Sequence, residues 1–258
     1  MPGSYPPLVD MRMDNSGVGG RVRKGWRIAW AVASGLVVES AVFGLSAVPG
    51  TLLWLWQFRL SAPSGWVRIA LLAAGFVPCY VVFAFCLMVL SALSMRVAGW
   101  RTPANVEMRI ADVPAPLLVW GRYLVSAHVV RLFAGTLFRA TPLWTLYHRL
   151  NGARLGRRVY INSLAVMDDN LLEFADGVVI GAGVHLSGHT VEGGVVKTGP
   201  VRLGRNVTIG VGSVIGIGVQ VGDDTEVGAL SVVPKHRRLE PGAVYGGVPV
   251  RRLDTEAS

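Results

Sequence analysis

Residues 203–234 read LGRNVTIGVGSVIGIGVQVGDDTEVGALSVVP, a stretch that repeats itself every six residues. An aliphatic residue opens each hexad, and a glycine follows it in all but the last; the openers are Leu203, Ile209, Ile215, Val221, Val227 and Val233. A small or β-branched residue stands four places after each of the first five openers, at Val207, Ser213, Val219, Thr225 and Ser231. Six matched hexads in register indicate a repeat architecture far more strongly than any single short motif does.

The six-residue period predicts a parallel β-helix with three faces. Three hexads make one triangular coil, whose openers point inward and stack on the openers of the next coil. One coil cannot bury its own apolar stripe, so several coils must stack. A helix is excluded over this stretch because its apolar positions would recur at about 3.6 residues. Less regular hexads before Leu203 extend the predicted repeat domain over residues 153–254.

The repeat is interrupted once by a glycine-rich insertion. The segment 192–200 reads EGGVVKTGP, which contains too much glycine for a helix. We therefore expect it to leave the prism as a loop or a hairpin.

Composition points towards a membrane. The net charge is +9 and the mean hydropathy is +0.47. Basic residues beside long apolar segments are typical of contact with anionic lipid, so no nucleic-acid partner is predicted. The two cysteines, Cys79 and Cys86, lie inside an apolar stretch, which argues against a disulfide framework and against a cysteine metal site.

The N-terminal half divides into three predicted regions. Residues 1–24 read as a disordered basic tail. Residues 25–98 read as a two-helix transmembrane hairpin, because two apolar segments exceed the ~20 residues that a span needs; the first is interrupted at Pro49 and Gly50. Residues 99–152 read as a linker followed by helices that lie at the membrane surface and dock onto the prism, since a third span there would bury several charges.

The distribution of basic residues predicts the orientation. The hairpin is flanked outside by Arg21, Arg23, Lys24, Arg27, Arg96, Arg101 and Arg109, whereas the connecting loop offers only Arg59 and Arg68. The positive-inside rule then places both termini and the prism on the cytoplasmic side of the inner membrane.

Three blocks of sequence resemble a known superfamily. The ending VGALSVVPKHRRLEPGAVYGGVPVRRL (227–253) looks like the last coil and C-terminal segment of the hexapeptide-repeat acyltransferases, which are left-handed parallel β-helices. The blocks TPLWTLYHRLNGARLG (141–156) and DDNLLEFADGVVIGAGVHLSGHTVEGG (168–194) give a narrower match. Together with a membrane hairpin, they are similar to the repeated C-terminal units of polylysine-synthetase-type nonribosomal peptide synthetases, which form amide bonds.

The resemblance implies a homotrimer with active sites in grooves between neighbouring prisms. The implied donor is a 4′-phosphopantetheine thioester, supplied by coenzyme A or by an acyl or peptidyl carrier protein. The implied acceptor is a small amine, a histidine is the general base, and no metal is required.

His189 is the candidate base. Attack on a thioester requires a group that accepts a proton near neutral pH, which suits an imidazole. His189 ends a hexad directly before the insertion, where the superfamily places its base. His185 is a second candidate, either for a direct role or for packing between subunits. Glu192 is the carboxylate expected to orient the imidazole of His189. The plainer interpretations are a turn histidine and an exposed loop carboxylate.

Three acidic residues, Asp168, Asp169 and Glu173, are candidates for binding a cationic acceptor. Turn formation is the plainer interpretation of the same residues. For the donor, the candidates are Lys235 and Arg237 at the phosphates, and the backbone of Gly210, Gly228 and Ala229 at the pantetheine arm.

The sequence is compatible with three functions. The leading hypothesis is a membrane-anchored acyl- or aminoacyltransferase that forms an amide or, less favoured, an ester. The second is a trimeric membrane scaffold, channel or export component without catalysis, in which Glu39 in the first span would line a pore. The third is an O-acetyltransferase that acts on a lipid-linked sugar.

Overall fold

The computed structural model describes residues 9–10, 18–60 and 65–253. Most of the predicted disordered tail, residues 1–24, lies outside these ranges. Its described parts form β1 (Val9–Asp10), which pairs in parallel with β2 (Val106–Arg109), and the start of α1 (Val18–Leu60). Disorder is the wrong prediction for residues 18–24, because the helix extends over the basic cluster and Lys24 donates a hydrogen bond to the carbonyl oxygen of Ala111.

The two long helices, α1 and α2 (Gly65–Ala98), pack antiparallel. The rings of Phe43 and Phe83 meet edge to face with centroids 4.9 Å apart. The predicted interruption at Pro49 and Gly50 is wrong, because α1 continues through both residues. A proline removes only one backbone hydrogen bond from its own helix, and a helix that packs against a neighbour tolerates this loss. Gly50 lies at a close approach of the helices, where an added Cβ would stand 2.7 Å from the carbonyl oxygen of Cys79.

The next helices join this pair to the repeat domain. α3 (Ala115–Val130) continues through a π-helical segment, Arg131–Gly135, into the short α4 (Thr136–Phe138). On one side Arg122 donates to the carbonyl oxygen of Ala31 in α1 at 3.2 Å. On the other side Arg131 donates to the carbonyl oxygen of Val166 in the prism at 3.1 Å. This region therefore contacts both α1 and the prism.

Three helical stretches of the described chain are long and apolar enough to cross a membrane, by length and composition: Gly20–Arg59, Gly65–Ala98 and Ala115–Phe138. The third corresponds to the segment that the sequence favours as surface helices. The last helix, α5 (Pro142–Leu150), begins after Thr141 with proline in its first turn and ends at Asn151, as predicted.

The remainder of the described chain is built of short strands. In chain order they are β3 (Arg154–Leu155), β4 (Tyr160–Ile161), β5 (Val166–Met167), β6 (Leu172–Phe174), β7 (Val179–Ile180), β8 (His185–Ser187), β9 (His189–Glu192), β10 (Val195–Thr198), β11 (Val201–Leu203), β12 (Thr208–Ile209), β13 (Val214–Ile215), β14 (Gln220–Val221), β15 (Glu226–Val227), β16 (Val232–Val233), β17 (Arg238–Leu239), β18 (Val244–Gly246) and β19 (Arg251–Leu253). Short 3₁₀ turns cover Ile110–Asp112 and Asp169–Leu171.

These strands form the three parallel faces predicted by the hexads. Face 1 has the order β3-β6-β11-β14-β17, face 2 has β4-β7-β12-β15-β18 with β19 added antiparallel, and face 3 has β5-β8-β13-β16. Thr208 pairs with Glu226 and Val214 pairs with Val232, a shift of 18 residues in each case. One coil is therefore three hexads.

The hexad openers form the core of the prism. All six openers of the regular run are at most 5% exposed. The apolar core continues from the prism into α2 and α5 and includes the buried side chains Leu87 and Trp144. The helices therefore share one core with the prism, which fixes how they sit on it.

The insertion leaves the prism as a hairpin, and it begins earlier than residue 192. Strands β9 and β10 pair antiparallel around Gly193 and Gly194, whose φ angles are +54° and +74°. Two consecutive residues with positive φ are the signature of a tight hairpin turn that glycine adopts without strain. β10 also pairs with β2, which ties the hairpin to the linker after α2.

Candidate active site

The site is built around a turn that carries two consecutive aspartates, Asp168 and Asp169. Both are almost completely buried, at 0% and 1% exposure. Asp168 has a φ of +64°, in the left-handed region. Gly188 packs against this turn so closely that an added Cβ would stand 2.9 Å from the Cβ of Asp168. Neither carboxylate reaches the surface, so the structure does not present them to a cationic acceptor as the sequence predicts.

Asp168 accepts hydrogen bonds from four segments of the chain. Its Oδ2 lies 2.6 Å from Nδ1 of His189 and accepts from the hydroxyl of Ser187 at 3.0 Å. Its Oδ1 accepts from the hydroxyl of Thr102 at 2.7 Å and from the indole N–H of Trp120 at 3.3 Å. Two donors belong to the coil and the hairpin, and two belong to the linker and α3. The environment of this carboxylate is therefore assembled from both halves of the protein.

These bonds keep Asp168 ionised. Burial raises the pKa of its carboxyl, but the hydrogen bonds that it accepts, from His189 above all, outweigh burial and hold the pKa below its ordinary value. An ionised carboxylate only accepts hydrogen bonds, so Nδ1 of His189 bears a proton. The lone pair of the neutral imidazole then lies on Nε2, which is the atom available to act as a base.

His189 is held on a second side by Trp120. The two rings meet edge to face with centroids 4.9 Å apart. The imidazole remains 14% exposed, whereas its carboxylate partner is 0% exposed. The pair thus combines a buried, fixed carboxylate with a partly accessible imidazole, as general-base catalysis requires.

Glu192 does not orient His189. It lies at the other end of β9, where it bonds to Lys235 and stands 3.9 Å from Lys197. The hydrogen bond from Lys235 lowers the pKa of its carboxyl. Strand geometry explains the difference, because three residues along an extended strand separate the Cα atoms of His189 and Glu192 by about 10 Å and direct their side chains to opposite faces.

The remaining acidic and histidine candidates lie elsewhere. Glu173 is on the outer surface of face 1, where it bonds to Arg154 at 3.1 Å and to Arg202 at 2.9 Å. It therefore does not form one cluster with the two buried aspartates. His185 is exposed on β8 in face 3.

The residues predicted to hold the donor fall on two edges of face 3. Gly210, Gly228 and Ala229 precede strands β13 and β16, whereas Lys235 follows β16, next to the hairpin that begins at His189. Arg237 is exposed beyond Lys235. Gly210 also has a structural reason to be glycine, because an added Cβ would stand 2.5 Å from the backbone nitrogen of Ala229 in the next coil.

Asp169 makes a second buried pair that the sequence did not point to. Its Oδ1 lies 2.5 Å from Nδ1 of His148 in α5, and both side chains are at most 2% exposed. Its Oδ2 accepts from the hydroxyl of Tyr123 at 3.1 Å, and the same hydroxyl accepts from its backbone N–H at 2.9 Å. The adjacent aspartates were a visible signal, but nothing in the spacing indicated partners in α3 and α5.

Glu39 of α1 forms a side-chain hydrogen bond with another helix. Its carboxylate accepts a hydrogen bond from Ser126 of α3. Together with Arg122, it borders an apolar cleft of about 420 Å³ between α1 and α3. In this chain its carboxylate is thus used in helix packing.

Parts of the chain are similar to known proteins. No family model matches the chain. Delta-poly-L-ornithine synthetase of Acinetobacter baumannii is 25% identical over 139 residues, which is 52% of this chain and 10% of that protein. Galactoside O-acetyltransferase of Escherichia coli is 39% identical over 105 residues, which is 38% of this chain and 51% of that protein. A solved galactoside acetyltransferase in complex with coenzyme A matches with a TM-score of 0.36 and 34% identity, over 40% of this chain and 55% of that one.

The repeat domain is related to the hexapeptide-repeat acyltransferases. The chain is also related to delta-poly-L-ornithine synthetase. The match to delta-poly-L-ornithine synthetase covers 139 residues, more than residues 153–258 can supply, so it extends into the helical half. The chain spans about a tenth of one of these relatives and about half of the other.

Proposed function

We propose that the protein is a membrane-anchored acyl- or aminoacyltransferase that forms an amide from a 4′-phosphopantetheine thioester and an amine. The observation that carries the proposal is the pair of His189 and Asp168. It presents an oriented, partly accessible imidazole at the edge of a β-helix of the acyltransferase class.

The proposed reaction needs one base and no covalent enzyme intermediate. The amine nitrogen attacks the thioester carbonyl carbon while Nε2 of His189 takes a proton from the amine. The carbon–sulfur bond then breaks. The imidazolium returns its proton to the pantetheine thiolate, which leaves as a thiol. Asp168 stabilises the imidazolium and holds it in place.

The donor groove is proposed to lie between copies of the chain. The glycine and alanine candidates lie on the opposite edge of face 3 from His189 and Lys235, so one copy alone does not bring them together. An exposed apolar ridge lies at the glycine-bearing corner, where the backbone N–H of Leu230 bonds to the carbonyl oxygen of Val211 in the preceding coil and the two residues are 73% and 54% exposed. Exposed apolar patches of this kind are typical of subunit contacts, which supports the homotrimer. Lys235 and Arg237 would then face the donor phosphates, whether coenzyme A or a carrier protein supplies them.

An amine is the preferred acceptor. Support comes from the relationship to a poly-L-ornithine synthetase, and no longer from an acidic cluster, because both aspartates are buried. The galactoside O-acetyltransferase match keeps a hydroxyl acceptor, including that of a lipid-linked sugar, as the alternative.

The membrane anchor is proposed to be α1 and α2, with both termini and the prism on the cytoplasmic side. Large apolar side chains on the outside of these helices support insertion into lipid, among them Trp26, Trp30, Trp66 and Val77, which are 63–85% exposed. In a chain with Cys79 and Cys86 replaced by alanine, we expect Arg59→Cys to react with a membrane-impermeant thiol reagent in intact cells. Arg252→Cys should react only after lysis, and the reverse result would exclude this orientation.

The function is tested by product analysis. Purified protein is incubated with coenzyme A or carrier-protein thioesters and with amines, and products are identified by mass spectrometry. We expect amide product from the native protein and from His128→Ala, and none from His189→Ala. Unchanged biological function in the His189→Ala variant would instead favour a scaffold or export component.

A further inference from the structure

We propose that His148 and Tyr123 are positioning residues, which act through Asp169 to hold the turn that presents Asp168 to His189. The inference rests on the proposed function, in which His189 is the base. It assigns a role in the chemistry to two helices that do not touch the reacting atoms.

The geometry links the two His–Asp pairs through a single peptide bond. Asp168 and Asp169 direct their carboxylates to different histidines, one in the hairpin and one in α5. Tyr123 contacts Asp169 twice, since its hydroxyl accepts from the backbone N–H and donates to Oδ2. The backbone that joins the two aspartates is therefore fixed by contacts that do not involve His189.

The turn needs such support. Asp168 has a φ of +64°, a conformation that residues other than glycine adopt rarely and keep only when their surroundings enforce it. Gly188 packs on the turn from the His189 side, but it contributes no side chain that could bond the turn.

The burial of His148 indicates that its hydrogen bond to Asp169 contributes to holding the turn that carries Asp168. Its imidazole is 1% exposed, and Nε2 has no hydrogen-bond partner among the described residues. Burying an unsatisfied nitrogen is unfavourable, and an apolar side chain of similar size would avoid it. What such a side chain could not supply is the N–H that pairs with the Asp169 carboxylate at 2.5 Å. Without that N–H, Oδ1 of Asp169 would be a buried acceptor that has lost its partner.

Two substitutions of His148 separate positioning from packing. His148→Leu keeps an apolar volume but removes the donor, whereas His148→Asn places an amide N–H near the position of Nδ1. We expect His148→Leu to lower kcat by about 10- to 100-fold with little change in KM, because small displacements of catalytic groups have effects of this size. We expect His148→Asn and the exposed control His128→Leu to stay within about threefold of the native protein.

Tyr123→Phe provides a second, charge-neutral variant. It removes only the hydroxyl that bonds Asp169, and the ring can continue to fill the buried site. We expect Tyr123→Phe to lower kcat, as His148→Leu does.

A spectroscopic readout tests the same idea without substrate. The full chain in detergent is labelled with ¹⁵N-histidine, and the His189 signals are assigned by their absence in His189→Gln. Nitrogen chemical shifts report which ring nitrogen bears the proton. In the native protein and in His148→Asn we expect the Nδ1-protonated form, and in His148→Leu and Tyr123→Phe we expect a loss of that form.

The outcomes separate the two proposals. An unchanged His189 tautomer and kcat in His148→Leu, even with lowered thermal stability, would show that His148 only packs and would overturn the inference. A native protein that makes no product from any thioester would count against the proposed function. The tautomer measurement would still decide whether His148 and Tyr123 position the Asp168–His189 pair.

Discussion

At the scale of single residues, the decisive contact is the one between Asp168 and His189. A buried carboxylate bonded to Nδ1 selects the tautomer in which Nε2 is free, and in the proposed reaction it stabilises the imidazolium that forms during proton transfer. The exposed carboxylate of Glu192, three residues from His189 in sequence, bonds to Lys235 instead. The carboxylate that contacts His189 is therefore that of Asp168, and not that of Glu192, which is closer in sequence.

Replacement of Asp168 tests this assignment. We expect Asp168→Asn to lower the rate of acyl transfer by about 10²- to 10⁴-fold, since the amide neither fixes the tautomer nor stabilises the imidazolium. Initial rates with a saturating thioester measure the effect. Glu192→Gln is the matched control and should remain close to native. A larger loss in Glu192→Gln than in Asp168→Asn would restore the pairing that the sequence suggested.

The same substitution changes how stability depends on pH. The folded-state pKa of Asp168 is lowered, so its ionisation adds stability that is fully present above the unfolded value of about 3.9 and is lost as the pH falls through the folded pKa. We expect the native protein to have a higher Tm than Asp168→Asn near pH 5. The gap should narrow as the pH is lowered below about 4. Thermal unfolding of both proteins at several pH values provides the measurement, and a gap that widens towards acid would contradict it.

At the scale of elements, the coil depends on its inward-pointing openers. Ile209 is completely buried in face 2, and the next coil stacks directly on it through Val227. We expect Ile209→Ala to reduce the free energy of unfolding by about 2–5 kcal/mol, because it leaves a cavity that the stacked coils cannot close.

Glu226→Ala is the control for this prediction, since Glu226 lies on the same face but is exposed. It should change the unfolding free energy by about 0.5 kcal/mol or less. Chemical unfolding followed by circular dichroism distinguishes the two variants. Equal effects would mean that the hexad openers do not form the stabilising core.

The hairpin β9–β10 shows how one insertion creates a site. The 18-residue coil is interrupted after β8, and His185 pairs with Val214, 29 residues further on. The additional residues place His189 at the edge of the prism, while β10 pairs with β2 and so brings the linker containing Thr102 to the same place. The insertion therefore joins the two halves of the protein at the proposed base.

At the scale of the whole molecule, assembly is proposed to complete the donor groove. Leu230 is 73% exposed on the apolar ridge, at a corner where polar residues would be expected in a solitary prism. We expect Leu230→Glu to convert trimers into smaller species, because three like charges would face an apolar contact. Light scattering of the purified protein in detergent measures the mass.

Two further results complete that test. The rate of acyl transfer should fall together with the fraction of trimer if the groove lies between copies of the chain. Arg154→Glu, a charge change on the polar face 1, should leave the mass unchanged. A fully active monomeric Leu230→Glu protein would show that one copy holds the whole site.

The six-residue repeat by itself determines the prism, because inward stacking at a fixed period is a local property that each hexad specifies for its own coil. The same reasoning predicted a loop or hairpin from the glycines of the insertion and the start of α5 from Thr141 and proline, since these are also local signals. The partners of His189 and Asp169 were decided only by tertiary structure. Asp168 is 21 residues from His189 in sequence, and Thr102 and Trp120 lie in segments without any repeat. Their meeting depends on how α3 and the linker pack against the first coils, and this packing is a property of the assembled core that the spacing of residues does not encode.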